Sequence, residues 1–137
     1  MGSTESIAWE EEWSIGDELI DSQHKELVKL INELIYDCAN DQMNAGIPAA
    51  LSFLVQYVVT HFSDEEALQL RCNFPYYKEH KKMHEDLKKN VAKLAKKYTK
   101  VGSTLSLKKD IYDVLGIWLV RHIAQEDKKI ADYTTNA

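Results

Sequence analysis

At 137 residues the chain is long enough for one domain with a real core and too short for two of ordinary size. Five glycines and two prolines against 45% hydrophobic and 28% charged residues suit long helices with few turns, and a net charge of −5 gives no global pull toward nucleic acid. No apolar run approaches the roughly 18 residues of a membrane span, and the acidic N-terminus lacks the basic and apolar parts of a signal peptide, so a cytoplasmic protein without membrane or nucleic-acid partners is expected.

The first 16 residues read as an irregular arm that brings Trp9 and Trp13 against the body of the protein. Gly2 with Ser6 fits a myristoylation pattern only loosely and carries no weight. Four segments then place apolar residues at alternating steps of three and four, the stripe of an amphipathic helix. The first, about 17–38, carries Ile20, His24, Leu27, Ile31, Leu34 and Cys38. The second, about 48–72, opens at Pro48 after Gly46 and carries Leu51, Leu54, Val58, His61, Glu65, Leu68 and Cys72. Asn73, Phe74 and Pro75 break it, and Pro75 is expected to open a third helix, about 75–98, with His80, His84, Leu87, Val91, Leu94 and Tyr98 on its stripe. Lys96, Lys97 and Lys100 suit the negative end of its dipole, Gly102, Ser103 and Thr104 supply the next turn, and other lysine pairs read as solvated faces. A fourth helix, about 105–132, carries Ile111, Leu115, Trp118 and His122, leaving 133–137 as a tail.

Four helices on short loops predict an all-α, antiparallel up-down-up-down four-helix bundle over 17–132. In that arrangement His24, His61, Glu65, His80, His84 and His122 fall in one band, roughly 8 to 17 Å from one end at 1.5 Å per residue. All five histidines of the chain lie in it. One buried imidazole is usually satisfied by a neighbour, but five in an apolar core leave many ring nitrogens without acceptors, at roughly 1 to 3 kcal/mol each. Metal ions use those lone pairs directly. The spacings His61-x-x-x-Glu65 and His80-x-x-x-His84 put each pair on one helix face. For a second carboxylate, ideal periodicity selects Glu126, four residues after His122, because Asp127 points about 140° away.

The set His24, His61-x-x-x-Glu65, His80-x-x-x-His84 and His122-x-x-x-x-Asp127 resembles hemerythrin, its bacterial branch most closely, over nearly the whole chain from Trp9 onward. The Ile20-Asp21-Ser22-Gln23-His24 segment belongs to the match. The resemblance implies that Asp127 is the ligand, with Glu126 second. That choice requires the fourth helix to widen after His122, as a π-type turn would. It also implies two iron ions bridged by an oxo or hydroxo group, His80, His84 and His122 holding one and His24 with His61 the other, with Glu65 and Asp127 bridging. Trp118 and Leu119 would line a dry pocket for dioxygen, although an aromatic and a leucine in a bundle are core by default.

Five ring nitrogens, four carboxylate oxygens and a bridging oxygen counted at each metal fall one short of two octahedral shells, so one position stays open to an exogenous ligand. Imidazole with carboxylate suits several metals; the resemblance selects iron, and with it reversible dioxygen binding for carriage, storage or delivery. Two other readings compete: an oxygen- or redox-sensing domain with an output domain or oxygen-using enzyme outside this chain, and a di-iron enzyme acting on peroxide or nitric oxide. The histidine-rich set favours binding over turnover, since di-iron oxygenase bundles use mostly glutamates with Glu-x-x-His pairs. Cys38 and Cys72 fall at opposite ends of the bundle, roughly 35 Å apart, beyond disulfide reach.

Overall fold

The computed structural model describes residues 7–39, 47–101 and 105–136. Gly2, Ser6, the turn at 102–104 and the side chain of Cys38 lie outside the described residues. After a 3-10 turn at Glu11–Trp13 come α1 (Glu18–Ala39), α2 (Ile47–Arg71), α3 (Tyr77–Val101) and α4 (Leu105–Ile111). The last continues without a break as π-helix over Tyr112–Leu119 and His122–Glu126 and then as 3-10 helix over Asp127–Asn136. Together, residues 105–136 form a fourth rod. No strand occurs among the described residues, and no helix there is long and apolar enough to cross a membrane.

The rods alternate in direction, and the side-chain contacts between them show it. His24 early in α1 meets Glu65 late in α2, Lys81 early in α3 meets Glu66, and Lys97 late in α3 meets Asp110 early in the fourth rod. Asp127 closes the ring by returning to His24. This is the antiparallel four-helix bundle the sequence pattern predicts.

Local chemistry sets the ends. Asp17 caps α1, its carboxylate accepting the Ile20 N–H at 3.1 Å, while Asp21 reaches back to accept the Ile15 N–H at 2.8 Å. Asn73 ends α2 in the left-handed region (φ 58°), with Phe74 N–H on Gln69 O at 2.9 Å and Asn73 N–H on Leu70 O at 3.3 Å, the paired bonds of a Schellman motif. Pro75 therefore sits in the turn, and α3 begins two residues later than the sequence suggested, at Tyr77. The arm is clamped by Asn32, whose amide exchanges two hydrogen bonds with the Ile7 backbone at 2.8 and 2.7 Å, and Ile7 and Trp13 pack on the core. Its end is tied to the fourth rod by Lys128 on Ser14 O and Thr134 on Ile15 O, both at 3.0 Å.

Two apolar clusters fill the interior. The larger includes Leu27, Ile31, Leu54, Val58, Phe62, Leu87, Val91, Leu115 and Leu119; the smaller joins Ile15, Ile20, Leu68, Cys72, Phe74 and Ile130. Along α1, α2 and the fourth rod the histidines and carboxylates fall between residues of the two clusters, and on α3 they fall between Phe74 in the preceding turn and Leu87. Burying each leucine-sized side chain contributes about 1.5–3 kcal/mol, so the polar layer is held between two strongly favourable layers.

One stripe differs from expectation. Trp118, placed on the buried stripe of the fourth helix by 3.6-residue periodicity, is 39% exposed, while Leu119 is completely buried. The cause is the backbone: i→i+5 bonding over Tyr112–Leu119 puts more residues into each turn and moves the inward face from Trp118 to Leu119. Gly116 lies in this segment where α1 comes close, since a Cβ there would stand 3.3 Å from the Ile35 Cδ1.

Candidate metal centre

Each rod delivers polar groups to the layer between the clusters: His24 from α1, His61 and Glu65 from α2, His80 and His84 from α3, and His122 and Asp127 from the fourth rod. None of the seven is more than 3% exposed. One set of donor atoms, from Glu65, His80, His84, His122 and Asp127, lies within 4.8 Å of one another, and a second set joins His24 and His61 to the same two carboxylates.

The carboxylates divide their oxygens between the two histidine groups. Glu65 turns Oε1 toward His80 and His84 Nε2, at 3.1 and 3.0 Å, and Oε2 toward His24 and His61 Nε2, at 3.1 and 3.6 Å. Asp127 repeats the division: Oδ1 lies 2.8 Å from His80 Nε2 and 3.1 Å from His122 Nε2, while Oδ2 lies 3.0 Å from His24 Nε2. A carboxylate with one oxygen in each group has the shape of a bridge between two cations.

Asp127 reaches the layer through the second wide turn. Its N–H bonds to His122 O, five residues back, which closes the π-helical turn His122–Glu126 and rotates Asp127 inward. Glu126, the choice of ideal periodicity, points outward, is only half-buried, and pairs with Lys129 at 3.0 Å.

Some of these donor atoms pair directly, His24 Nε2 with Glu65 Oε2 and His80 Nε2 with Glu65 Oε1, both at 3.1 Å, and others do not. His61 Nε2, His84 Nε2 and both Asp127 oxygens lie close to opposite partners, yet none is aligned for a hydrogen bond among the described residues. His122 and His80 bring their Nε2 atoms within 3.2 Å of each other. Unpaired polar atoms so deep in a core cost roughly 1–3 kcal/mol each. Five imidazoles and two carboxylates so arranged fit a pair of divalent cations.

The electrostatics point the same way. Burial disfavours a charged His24 ring, but contact with Asp127 and Glu65 outweighs it and raises its pKa to about 10; His80 rises to about 10 by the same balance. His84 is raised as well, burial again being outweighed by Glu65 and Glu66. His61 is lowered to about 4, because burial dominates. Glu65 and Asp127 are depressed despite burial and their mutual repulsion, since the surrounding rings stabilise their anions. The carboxylates thus stay ionised and ready to bind cations.

Three supporting contacts escaped the sequence reading. His61 Nδ1 is 2.8 Å from Gln23 Oε1, and the same amide donates to Asp64 at 2.8 Å. His84 Nδ1 is 2.8 Å from Glu66 Oε2, while Lys81 Nζ holds the other oxygen at 3.2 Å. Phe62 stacks face to face on His84, centroids 3.8 Å apart and planes within 2°. Each of these residues follows or precedes a ligand candidate in sequence, a signal that would have flagged them. Of the two residues expected near a dioxygen pocket, Trp118 stacks on His122 (5.6 Å, 7°) with an edge in solvent, and Leu119 is part of the larger cluster.

An antiparallel four-helix bundle whose core carries five histidines and two bridging-shaped carboxylates defines a class of di-metal helical proteins. The chain belongs to the hemerythrin family: the profile of the Hemerythrin HHE cation binding domain matches residues 15–133. It is 28% identical over 126 residues to a bacteriohemerythrin of Stenotrophomonas maltophilia, covering 92% of this chain and 80% of that one. It is 29% identical over 126 residues to a bacteriohemerythrin of Pseudomonas aeruginosa, with the same coverage. Myohemerythrin-1 of Phascolopsis gouldii is 31% identical over 125 residues, 91% of this chain and 92% of that protein.

Proposed function

We propose that the chain binds dioxygen reversibly at a non-haem di-iron centre held by His24, His61, Glu65, His80, His84, His122 and Asp127. The observation that carries this reading is the division of the Glu65 and Asp127 oxygens between a three-histidine group and a two-histidine group. That inequality leaves the two-histidine side a donor short. Two iron ions bridged by an oxo or hydroxo group would supply the electrons for dioxygen binding.

The chain's own residues then have four tasks. The five Nε2 atoms bind, and the two carboxylates hold the pair together and neutralise much of its charge. Gln23 and Glu66 fix His61 and His84 in the tautomer that turns Nε2 inward. Phe62 and Leu119, both buried in the larger cluster, exclude water from that side of the layer. Because the site is rich in imidazoles and poor in carboxylates, the reading is binding rather than turnover.

The test is a visible spectrum of the iron-loaded, reduced protein recorded without air, after dioxygen is admitted, and after it is removed. A band that appears and then disappears over repeated cycles is the expected result. A single irreversible oxidation, or steady consumption of peroxide or nitric oxide, would move the chain to the enzymes.

A further inference from the structure

The two histidine groups differ in what stands behind them. His84 Nδ1 faces a carboxylate, Glu66 Oε2 at 2.8 Å, whereas His61 Nδ1 faces a neutral amide, Gln23 Oε1, at the same distance. His24 and His122 have no hydrogen-bond partner for Nδ1 among the described residues. A ring whose Nδ1–H donates to a carboxylate gains electron density at Nε2 and becomes the stronger metal donor; a neutral amide does much less. Glu66 is itself gripped from outside, its other oxygen 3.2 Å from Lys81 Nζ, and the lysine side chain is 47% exposed. A line of contacts thus runs from a buried ring through an anion to a solvent-facing cation.

We infer that Glu66 is a positioning residue that makes the His80, His84 and His122 position the tighter of the two metal positions and favours the higher oxidation state there, with Lys81 as the moderating charge. This rests on the di-iron reading of the site. The lysine draws part of the Glu66 charge away from His84, so the two residues act in opposite senses on one ring. A purely structural role would have them act in the same sense, since removing either would loosen α3 against α2.

The opposition sets the experiment: anaerobic Fe(II) titration against a chromogenic chelator, and a mediated redox titration of the loaded protein, on wild type, Glu66→Gln and Lys81→Met. Glu66→Gln is expected to weaken the tighter of two iron affinities about 10–100-fold and to raise the midpoint potential. Lys81→Met is expected to shift both quantities the other way, by less. Unchanged affinities and potential in Glu66→Gln, or shifts of the same sign in both variants, would overturn the inference while leaving a two-iron wild type intact. A wild type that takes up no iron would instead remove the metal centre itself, and this assignment with it.

Discussion

The first three rods and the fourth solve the same task by different means. α1, α2 and α3 are regular, 22 to 25 residues long; α1 brings one ligand candidate inward, and α2 and α3 bring two each at a four-residue step. The fourth rod is regular only over Leu105–Ile111; beyond that its turns widen, and its two inward polar residues are five apart. A regular helix can offer His122 and Glu126 to one point, but Glu126 is one methylene longer in reach and here faces outward to Lys129. Widening the turn delivers the short aspartate side chain instead, and the same widening upstream carries Leu119 into the core. A polar layer of fixed geometry is thus served by bending the backbone to the ligands in one rod of four.

The sharpest way to break this contrast is to exchange the two acids. Asp127→Asn is expected to lose at least one of two bound irons, whereas Glu126→Gln, at a half-buried residue paired with Lys129, should keep both; iron per folded chain is the measurement. The reverse order would return the fourth rod to an ordinary helix in solution.

Next comes the upstream register. Leu119→Ala should lower stability by about 2–5 kcal/mol in denaturant unfolding, as a buried leucine truncation does. Trp118→Ala should cost less than half as much, because its ring is partly in solvent and contributes mainly a stacking contact. Leu119→Ala is also expected to admit water and shorten the life of the oxygen-bound form; an unaltered lifetime would leave Leu119 as packing alone.

Proton linkage in the metal-free protein sharpens the view of the layer that both kinds of rod share. His24 and His80, raised from 6.5 to about 10, contribute stability that is fully present below about pH 6.5 and is lost as pH rises through about 10. His61, lowered to about 4, works the other way: between about pH 4 and 6.5 the unfolded chain binds that proton and the folded one does not, so stability rises with pH there. Glu65 and Asp127, both depressed, contribute above their ordinary carboxylate range and lose that contribution in acid. The urea midpoint of the chelated protein should therefore peak near pH 6.5 and decline toward pH 10. A flat profile over that upper range would contradict the pairing of His24 and His80 with the carboxylates.

The smallest expected change lies in a regular rod. Gln69 on α2 is fully buried, and neither amide atom has a hydrogen-bond partner among the described residues. Gln69→Leu is expected to raise stability by about 1 kcal/mol, the cost of an unsatisfied polar group being removed. A loss of stability would mean that the amide holds a partner such as an internal water.

What could be read from the residues divides along the same line. The stripes of α1, α2 and α3, and with them His24, His61, Glu65, His80 and His84, were legible because regular helices translate spacing directly into a face. Trp118 was misplaced and Asp127 came only through family resemblance, since i→i+5 bonding leaves no periodic mark in the sequence. The start of α3 was misjudged because Pro75 suits both a first helical turn and the loop before one. Gln23, Glu66 and Phe62 are marked in the sequence only by adjacency to a ligand candidate; what each touches depends on how two helices meet, and no single-helix pattern records that.

The most direct measurement is an anaerobic titration of the metal-free protein with Fe(II), following bound iron per chain by chelator competition. Saturation at two irons per chain is the expected result, matching two histidine groups that share two carboxylates. Saturation at one would show that Glu65 and Asp127 do not bridge, and no uptake would contradict the metal centre altogether.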